Sequence, residues 1–230
     1  MTQFDWSKAA EKQWDERADG WNARSREMWE AGSRKDITPL FLKYLKPHSK
    51  VCDLGCGDGY GALKLAKANM DVTGIDVAEE MIEKAKAINE GYTSTFLKGD
   101  IASLPFADDC FDGILAINSL EWTEDPYRVL EEVKRVLKRD AYACIGILGP
   151  TAGPRENSYS RLLGKKVICN TMMPWEFEKI SLALGFEKVD ELGVYKKAAD
   201  LLPKGALPLE LKQSLSFMWV FILKNRGVRL

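Results

Sequence analysis

The stretch VCDLGCGDGYG, from Val51 to Gly61, constrains the fold of this 230-residue chain most strongly. It begins as a short apolar run interrupted by one carboxylate, and from Gly55 a glycine occupies every second position. Glycine lacks a Cβ, so such a loop can adopt positive φ and lets a ligand approach the backbone closely. The apolar side chains that follow predict a helix whose first N–H groups face the loop. The stretch therefore predicts a strand, a glycine loop and a helix that together form a ligand cradle.

The chain beyond this cradle alternates between short apolar runs and helical patterns. Strands are predicted at 70–76, 93–100, 111–118 and 141–148, and helices at 78–89 and 126–138. Strands that alternate with helices of roughly 10 to 15 residues indicate right-handed β-α-β units and a parallel sheet covered on both faces. We therefore expect an α/β fold with a doubly wound sheet.

The last part of the chain departs from this alternation. Residues 149–173 contain glycines, prolines and polar side chains, which predict an irregular insertion with one short helix near 159–163. A further helix is expected to begin at Pro174. Apolar runs at 186–195 and 215–223 predict two final strands with no good helix between them, so these strands are expected to pair antiparallel. The sheet then has seven strands, mostly parallel, with an antiparallel final strand.

Four tryptophans near the start of the chain recur at spacings of 8, 7 and 8: Trp6, Trp14, Trp21 and Trp29. At roughly 100° per residue these spacings keep all four on one side of a helix, so residues 1–37 are expected to form an N-terminal helical arm that Gly20 divides. Two roles stay open for the indoles. They are packing residues that dock the arm on the domain at 38–230, or they belong to a lid that contacts a cationic ligand.

Composition restricts the class of protein and its partners. Lys and Arg total 33 against 34 for Asp and Glu, which gives no reason to expect nucleic acid or an anionic membrane as a partner. The longest apolar run, at 215–223, is far shorter than the roughly 20 residues of a membrane-spanning helix, and no secretory signal is visible. Five cysteines without a C-x-x-C pair are typical of reduced thiols. We therefore expect a soluble, cytoplasmic protein without membrane insertion, of unknown oligomeric state.

The chain contains a single histidine, His48. This excludes a multi-histidine metal site and a catalytic triad built on histidine. We expect no metal, and we expect His48 to be a solvated loop residue.

Three successive strands carry a carboxylate near the edge where an α/β sheet binds its ligand. Asp76 closes the second strand, where one acidic side chain can accept both hydroxyls of a ribose. Asp100 closes the third strand and can accept from an exocyclic adenine amine. Asp53, inside the first strand, needs a partner such as the loop N–H groups or a ligand ammonium. A pyrophosphate would be repelled here, so we expect a cationic adenosine derivative.

Five motifs occur in a fixed order along the chain: VCDLGCGDG, GIDVAEEMIEKAKA, FLKGDIASLPF, FDGILAINSLEW and RVLEEVKRVLK. Together they resemble the class I S-adenosylmethionine-dependent methyltransferases, in the branch of ubiquinone/menaquinone-type and other small-molecule methyltransferases. The resemblance is close over about residues 40–148 and looser over the C-terminal strands. It implies a Rossmann-like fold, S-adenosyl-L-methionine as cofactor and in-line transfer of a methyl group to a small-molecule acceptor. The glycine loop alone would not distinguish this family from dinucleotide dehydrogenases.

The resemblance implies which residues hold the methionine part of the cofactor. Gly55 and its neighbours Cys56 and Gly57 would approach it, and Asp53 would support the loop and the ammonium. Arg34 precedes the core of the domain, and two roles stay open for it. It pairs with the cofactor carboxylate, or it is a surface arginine.

The resemblance also implies contacts to the adenosine part and to the reacting group. Asp76 would hold the ribose hydroxyls, and the residues beside the ribose and the adenine would be Val77, Met81, Asp100, Ile101 and Ala102. After the fourth strand, Asn118 and Ser119 would face the sulfonium and the methyl group.

The chain departs from the family pattern at two places. The turn that is usually Lys-Pro-Gly-Gly is replaced at 138–141, which changes a turn and not the cofactor site. Trp122 stands where many relatives have histidine, which removes one candidate base. If the acceptor must lose a proton, the candidate bases are Glu121 and Tyr159, with His48 the weakest of the three.

Two other functions stay open on the sequence. One is a non-catalytic protein that binds S-adenosylmethionine as a sensor or subunit. The other is a nicotinamide-dependent oxidoreductase, although the chain lacks a hydride-transfer acid such as a Tyr-x-x-x-Lys pair. The identity of the acceptor and the kind of atom that is methylated are not encoded in any motif.

Overall fold

A seven-stranded sheet forms the centre of residues 4–227, the part of the chain that the computed structural model describes, the side chain of Asp200 excepted. Its strands are β1 (Lys50–Leu54), β2 (Asp71–Asp76), β3 (Ser94–Lys98), β4 (Phe111–Ile117), β5 (Leu137–Leu148), β6 (Phe186–Tyr195) and β7 (Ser216–Asn225). The order across the sheet is β3-β2-β1-β4-β5-β7-β6. Strands β1 to β5 run parallel, and β7 pairs antiparallel with both β5 and β6. The predicted Rossmann-like sheet with an antiparallel final strand is confirmed.

Helices cover both faces of the sheet. Those in the described residues are α1 (Trp6–Asp15), α2 (Ala18–Glu30), α3 (Ile37–Leu42), α4 (Tyr60–Lys67), α5 (Glu79–Ile88), α6 (Pro126–Val136), α7 (Pro174–Ala183), α8 (Lys197–Asp200) and α9 (Leu209–Ser214). Successive strand side chains alternate between the faces. Ile114 of β4 thus belongs to the apolar cluster of Val133 in α6, and Leu115 to that of Leu65 in α4. No helix of residues 4–227 has the length and apolar composition needed to cross a membrane.

The sheet changes its direction of winding between β1 and β4. Strand β1 pairs with β2 on one side and with β4 on the other. Because the connections that leave these two strands run to opposite sides, a crevice opens at their carboxyl ends. The glycine loop follows β1, so it lies at this crevice.

The N-terminal arm divides at a different position from the one expected. Helix α1 ends at Asp15, and Gly20 lies inside α2. The Asp15 carboxylate accepts the backbone N–H of Glu80 at 3.0 Å, at the start of α5, and this contact fixes the position where the chain turns. Residues 1–3 of the expected arm and 228–230 of the expected domain lie outside the described residues.

The prediction of no good helix between β6 and β7 is wrong. Helix α8, a 3-10 helix at Lys204–Ala206 and helix α9 lie there. Each spans six residues or fewer, which is too short for a periodic apolar pattern to appear in the sequence. The insertion contains a 3-10 helix at Gly153–Leu163, longer than the short helix expected near 159–163.

Two glycines give opposite predictions for stability. A Cβ at Gly20 would meet nothing within 4 Å, so Gly20→Ala is expected to raise the free energy of unfolding by about 0.5–1 kcal/mol through helix propensity. Gly59 has φ +76°, and a Cβ added there would lie 2.7 Å from the Ala85 Cβ. Gly59→Ala is therefore expected to lower the free energy of unfolding by at least about 1 kcal/mol. Urea unfolding measures both values, and effects of the same sign would contradict this packing.

Candidate functional site

A cavity of about 530 Å³ opens at the carboxyl ends of the central strands. Its lining comes from the residues that follow β1 to β4 and from the N-terminal arm. This is the edge at which an open α/β sheet binds ligands. Twelve of the thirteen residues expected to contact the cofactor line this cavity: Arg34, Gly55, Cys56, Gly57, Asp76, Val77, Met81, Asp100, Ile101, Ala102, Asn118 and Ser119.

Asp53 is the thirteenth residue, and it lies beneath the glycine loop, outside the cavity lining. Burial raises the pKa of this carboxyl group to about 7, and the nearby Arg34 guanidinium opposes the rise. A hydrogen bond from the Ala62 backbone N–H also stabilises the charged form. Asp53 therefore lies beneath the loop, and its roles in supporting the loop and a ligand ammonium stay predictions.

Positive φ favours glycine at two positions of the loop, and close packing also requires it at the first. Gly55 has φ +67°, and a Cβ on it would lie 2.4 Å from the Cβ of Ser119. Gly57 has φ +53°, and its Cβ position lies 3.4 Å from the indole nitrogen of Trp21. The Gly55 N–H donates to the Ile75 carbonyl at 2.8 Å, which fixes the start of the loop. The loop is therefore held against β2, β4 and the arm, with its backbone facing the cavity.

Two strand-end carboxylates organise the backbone around the cavity. Asp76 is 8% exposed and accepts the N–H groups of Gly57 at 2.9 Å and Ala78 at 3.0 Å. Burial raises its pKa, and these backbone N–H groups oppose the rise. Asp100 is exposed and accepts the N–H of Ala102 at 2.9 Å. Each carboxylate oxygen has a second lone pair, so both groups can also accept from ligand hydroxyl or amine groups.

Arg34 is buried at the cavity, and no carboxylate of residues 4–227 pairs with it directly. The side chain is 8% exposed, and its guanidinium lies 4.8 Å from the ring centroid of Trp21 and 5.4 Å from that of Trp29. Within the described residues it makes no ion pair. Burial lowers its pKa to about 10, and the charges of Asp58, Asp53 and Glu121 oppose the decrease. A buried cation of this kind favours an anionic ligand group in the cavity.

The tryptophans of the arm line the cavity, and they also pack on one another. Trp6, Trp14, Trp21 and Trp29 all contribute to the lining. Trp14 contacts Trp21 and Trp122 edge to face, with ring centroids 5.6 and 4.9 Å apart. The arm is thus both docked on the domain and placed as a roof. That it opens and closes as a lid stays a prediction.

Hydrogen bonds tie this roof to the glycine loop. Asp58 is buried and accepts from the side chains of Asn22 at 3.0 Å and Ser25 at 2.8 Å, both in α2. At the other end of the arm, the Ser7 hydroxyl donates to Asp100 at 3.4 Å. The arm therefore reaches both the loop and the end of β3.

The end of β4 brings two polar side chains to the cavity. Asn118 has φ +55°, a left-handed conformation that asparagine tolerates better than most residues. Ser119 is buried, and its hydroxyl oxygen has no hydrogen-bond partner in the described structure. An unpartnered buried hydroxyl beside a cavity favours a polar ligand atom there.

Neither of the two main candidate bases lines the cavity. Glu121 is fully buried, and one of its carboxylate oxygens accepts the Leu148 backbone N–H. Burial raises its pKa to about 7. Tyr159 is 59% exposed on the 3-10 helix of the insertion. His48 lies in the turn before β1, at the opposite end of the sheet.

Several lining residues were not expected from the sequence. Phe4, Thr123, Glu124 and Asp125 line the cavity, together with Trp122, which the sequence marked as a departure from the family. Most of them could have been predicted from their position after β4, because that segment begins at the carboxyl edge of the sheet. Phe4 carried no such signal, because it depends on the folding back of the arm.

The comparisons with known proteins agree with this geometry. Residues 52–145 match the family model described as a methyltransferase domain. A 103-residue stretch is 36% identical to the biotin biosynthesis bifunctional protein BioHC of Saccharophagus degradans, over 44% of this chain and 18% of that protein. A 159-residue stretch is 29% identical to the 27-O-demethylrifamycin SV methyltransferase of Amycolatopsis mediterranei, over 64% of this chain and 58% of that protein. The chain therefore spans less than two thirds of the length of either relative.

A solved structure shares the fold over most of the chain. It belongs to the complex between the Haloferax volcanii Trm112 methyltransferase activator and the candidate methyltransferase. The TM-score is 0.71 at 19% identity, over 94% of this chain and 99% of that chain. The family match therefore covers residues 52–145, and the solved structure shows that the fold is shared over most of the chain.

The buried Glu121 gives a pH prediction. Its pKa of about 7 lies above the ordinary value of 4.5, so the native state binds more protons, and stability present at low pH is lost as the pH rises through about 7. Glu121→Gln keeps an acceptor for Leu148 and cannot ionise. It is expected to reduce the loss of unfolding free energy between about pH 5 and about pH 7 by on the order of 2 kcal/mol.

Urea unfolding at several pH values measures this slope. The matched control is Glu90→Gln, which neutralises an exposed carboxylate and is expected to leave the slope unchanged. An unaltered slope in Glu121→Gln would show that this carboxyl group is already ionised in the folded protein at low pH.

Proposed function

We propose that this chain is an S-adenosylmethionine-dependent methyltransferase that transfers a methyl group to a small-molecule acceptor. The observation that carries the proposal is Arg34, a buried guanidinium at the cavity without an ion pair in the described residues. A ligand carboxylate would supply the missing partner through two parallel hydrogen bonds. The methionine part of S-adenosylmethionine carries such a carboxylate.

The charge of the cavity supports a cationic ligand. Among the described lining residues, Arg34 faces six carboxylates: Asp5, Asp58, Asp76, Asp100, Glu124 and Asp125. Such a lining favours a ligand of positive net charge and repels phosphates. S-adenosylmethionine carries a sulfonium and an ammonium against one carboxylate, whereas a nicotinamide dinucleotide carries a pyrophosphate. The charge balance therefore supports the methyl donor over the oxidoreductase alternative.

We assign the residues on the cavity wall to the parts of this ligand as the family resemblance implies. Arg34 and the backbone of Gly55 to Gly57 would hold the methionine part. Asp76 would accept from the ribose hydroxyls, and Asp100 from the adenine amine. Asn118 and the unpartnered hydroxyl of Ser119 would face the sulfonium end.

When bound, the cofactor supplies a methyl group that is already activated by its attachment to a sulfonium. The chain then has to align the acceptor and exclude water, and these effects can provide most of the rate of an in-line displacement. Trp14, Trp21 and Trp122 line the cavity and can exclude water from it. Glu121 and Tyr159 stay predictions as bases, and the cavity as described gives neither of them direct access to an acceptor.

A small-molecule acceptor is supported by the names of the relatives. One is a 27-O-demethylrifamycin SV methyltransferase, and another belongs to biotin biosynthesis. The volume of the cavity, about 530 Å³, lies within the range of small-molecule sites.

The test combines cofactor binding with methyl transfer. Asp76→Asn is expected to weaken S-adenosylmethionine binding at least about tenfold in calorimetry, because it removes the charge that accepts from the ribose. The matched control Asp71→Asn neutralises an exposed carboxylate on the same strand and is expected to bind within about twofold of the natural protein. Binding within about twofold by Asp76→Asn would refute the ribose contact.

Methyl transfer itself is measured by incubating the protein with methyl-labelled S-adenosylmethionine and a pool of small metabolites from a cell extract. We expect label in at least one small product, and less of it with Asp76→Asn. Binding of the cofactor without any labelled product would favour the non-catalytic alternative. Enhanced fluorescence of a reduced nicotinamide on addition of the protein would favour the oxidoreductase.

A further inference from the structure

A second cavity, here called the basic pocket, adjoins the first and has the opposite charge. Its volume is about 380 Å³. Three cationic side chains of the insertion line it, Arg161, Lys165 and Lys166, and Glu124 is the acidic residue among its described lining. The rest of the wall is made by the arm and by the end of the insertion.

The two cavities share part of their walls. Phe4, Trp6 and Glu124 line both of them. Trp6 is held at this boundary by its indole N–H, which donates to the Trp122 carbonyl at 2.7 Å. A molecule in the basic pocket would therefore contact Phe4 and Trp6, which also line the first cavity.

The cations of the basic pocket are available to a ligand. None of the three forms an ion pair within the described residues. Arg161 donates through one terminal nitrogen only, to the carbonyl and hydroxyl oxygens of Ser158 at 3.0 and 3.1 Å, so its other donors stay uncommitted. The Lys166 ammonium lies 5.3 Å from the ring centroid of Phe4, at the boundary between the cavities.

The Cys169 thiol, which also lines the pocket, is affected by nearby charges of both signs. Burial raises the pKa of this thiol to about 11. The charge of Glu121 adds to this rise, and the charges of Arg155, Arg161 and Arg17 oppose it. A concave site with three cations against one carboxylate in its described lining favours anionic ligands.

We propose that the basic pocket binds a phosphate or carboxylate group of the methyl acceptor. This inference rests on the proposed function, and it specifies the acceptor as an anion. Guanidinium and ammonium groups recognise phosphate and carboxylate through charge-assisted hydrogen bonds. The apolar faces of Phe4 and Trp6 would contact the part of the acceptor that lies between its anionic group and its reacting atom.

The direct test measures anion binding to the protein saturated with S-adenosylhomocysteine. The site variant Arg161→Gln, Lys165→Gln, Lys166→Gln removes three positive charges from the pocket. The matched control Lys43→Gln, Lys67→Gln, Lys179→Gln removes three from exposed positions elsewhere. The probes are inorganic pyrophosphate and succinate, titrated by calorimetry at low ionic strength.

We expect saturable binding of at least one probe to the natural protein and to the control, and at least about tenfold weaker binding to the site variant. The affinity for S-adenosylhomocysteine should stay within about twofold in all three proteins. Equal anion affinities, or no saturable binding to the natural protein, would overturn the inference. Failure to bind S-adenosylhomocysteine would instead count against the proposed function.

The source of the anionic group is separated by two further measurements. Labelled products of methyl transfer are passed over an anion-exchange resin, and retained products support a water-soluble anionic acceptor. Binding to phosphatidylglycerol vesicles but not to phosphatidylcholine vesicles, lost in the site variant, supports a lipid headgroup. Labelled products that are all neutral or cationic would overturn the inference and leave the proposed function standing.

Discussion

The burial of the Arg34 guanidinium is the interaction on which the arrangement of this site depends. Arg34 follows α2, and its charge lies between the rings of Trp21 and Trp29. The carboxylates of Asp53 and Asp58 compensate it through space from the side of the glycine loop. A buried cation is costly without such compensation, so the arm can keep this position only above an acidic loop. The roof and the loop are therefore mutually dependent.

The loop is in turn held by two strands and by the arm. Gly55 packs on Ser119 after β4, and the Gly57 N–H is bound by Asp76 at the end of β2. Asp58 is bound by Asn22 and Ser25 of the arm. Two polar groups at the cavity are left without a hydrogen-bond or ion-pair partner in the described residues, the Arg34 guanidinium and the Ser119 hydroxyl. The protein satisfies its own backbone around the cavity and leaves specific side chains for a ligand.

The sequence predicted the positions of those cavity residues that follow the carboxyl ends of the parallel strands. Asp76 and Asp100 were located correctly because the carboxyl ends of parallel strands meet at one edge of the sheet. Glu121 could not be located in this way, because a 3-10 turn at Leu120–Trp122 directs its side chain to the Leu148 N–H. Side-chain direction in an irregular segment has no periodic signal.

The sequence did not decide whether Arg34 is a surface residue or a partner of the cofactor carboxylate, for a related reason. Its burial requires α2 to fold back over the loop, a contact between distant parts of the chain that no local pattern encodes. The boundary at Gly20 was misjudged similarly, since the turn is fixed by the contact of Asp15 with Glu80. The basic pocket also arises from long-range proximity, because Phe4 and Lys166 approach each other only in the folded chain.

The central claim is that Arg34 pairs with the carboxylate of the bound cofactor. Calorimetry with S-adenosylmethionine and its decarboxylated analogue tests this most directly, in the natural protein, in Arg34→Gln and in the exposed neighbour control Lys35→Gln. If Arg34 pairs with this carboxylate, the natural protein and the control will prefer the carboxylated form by at least about tenfold, and Arg34→Gln will lose this preference to within about twofold. An unchanged preference in Arg34→Gln would contradict this pairing.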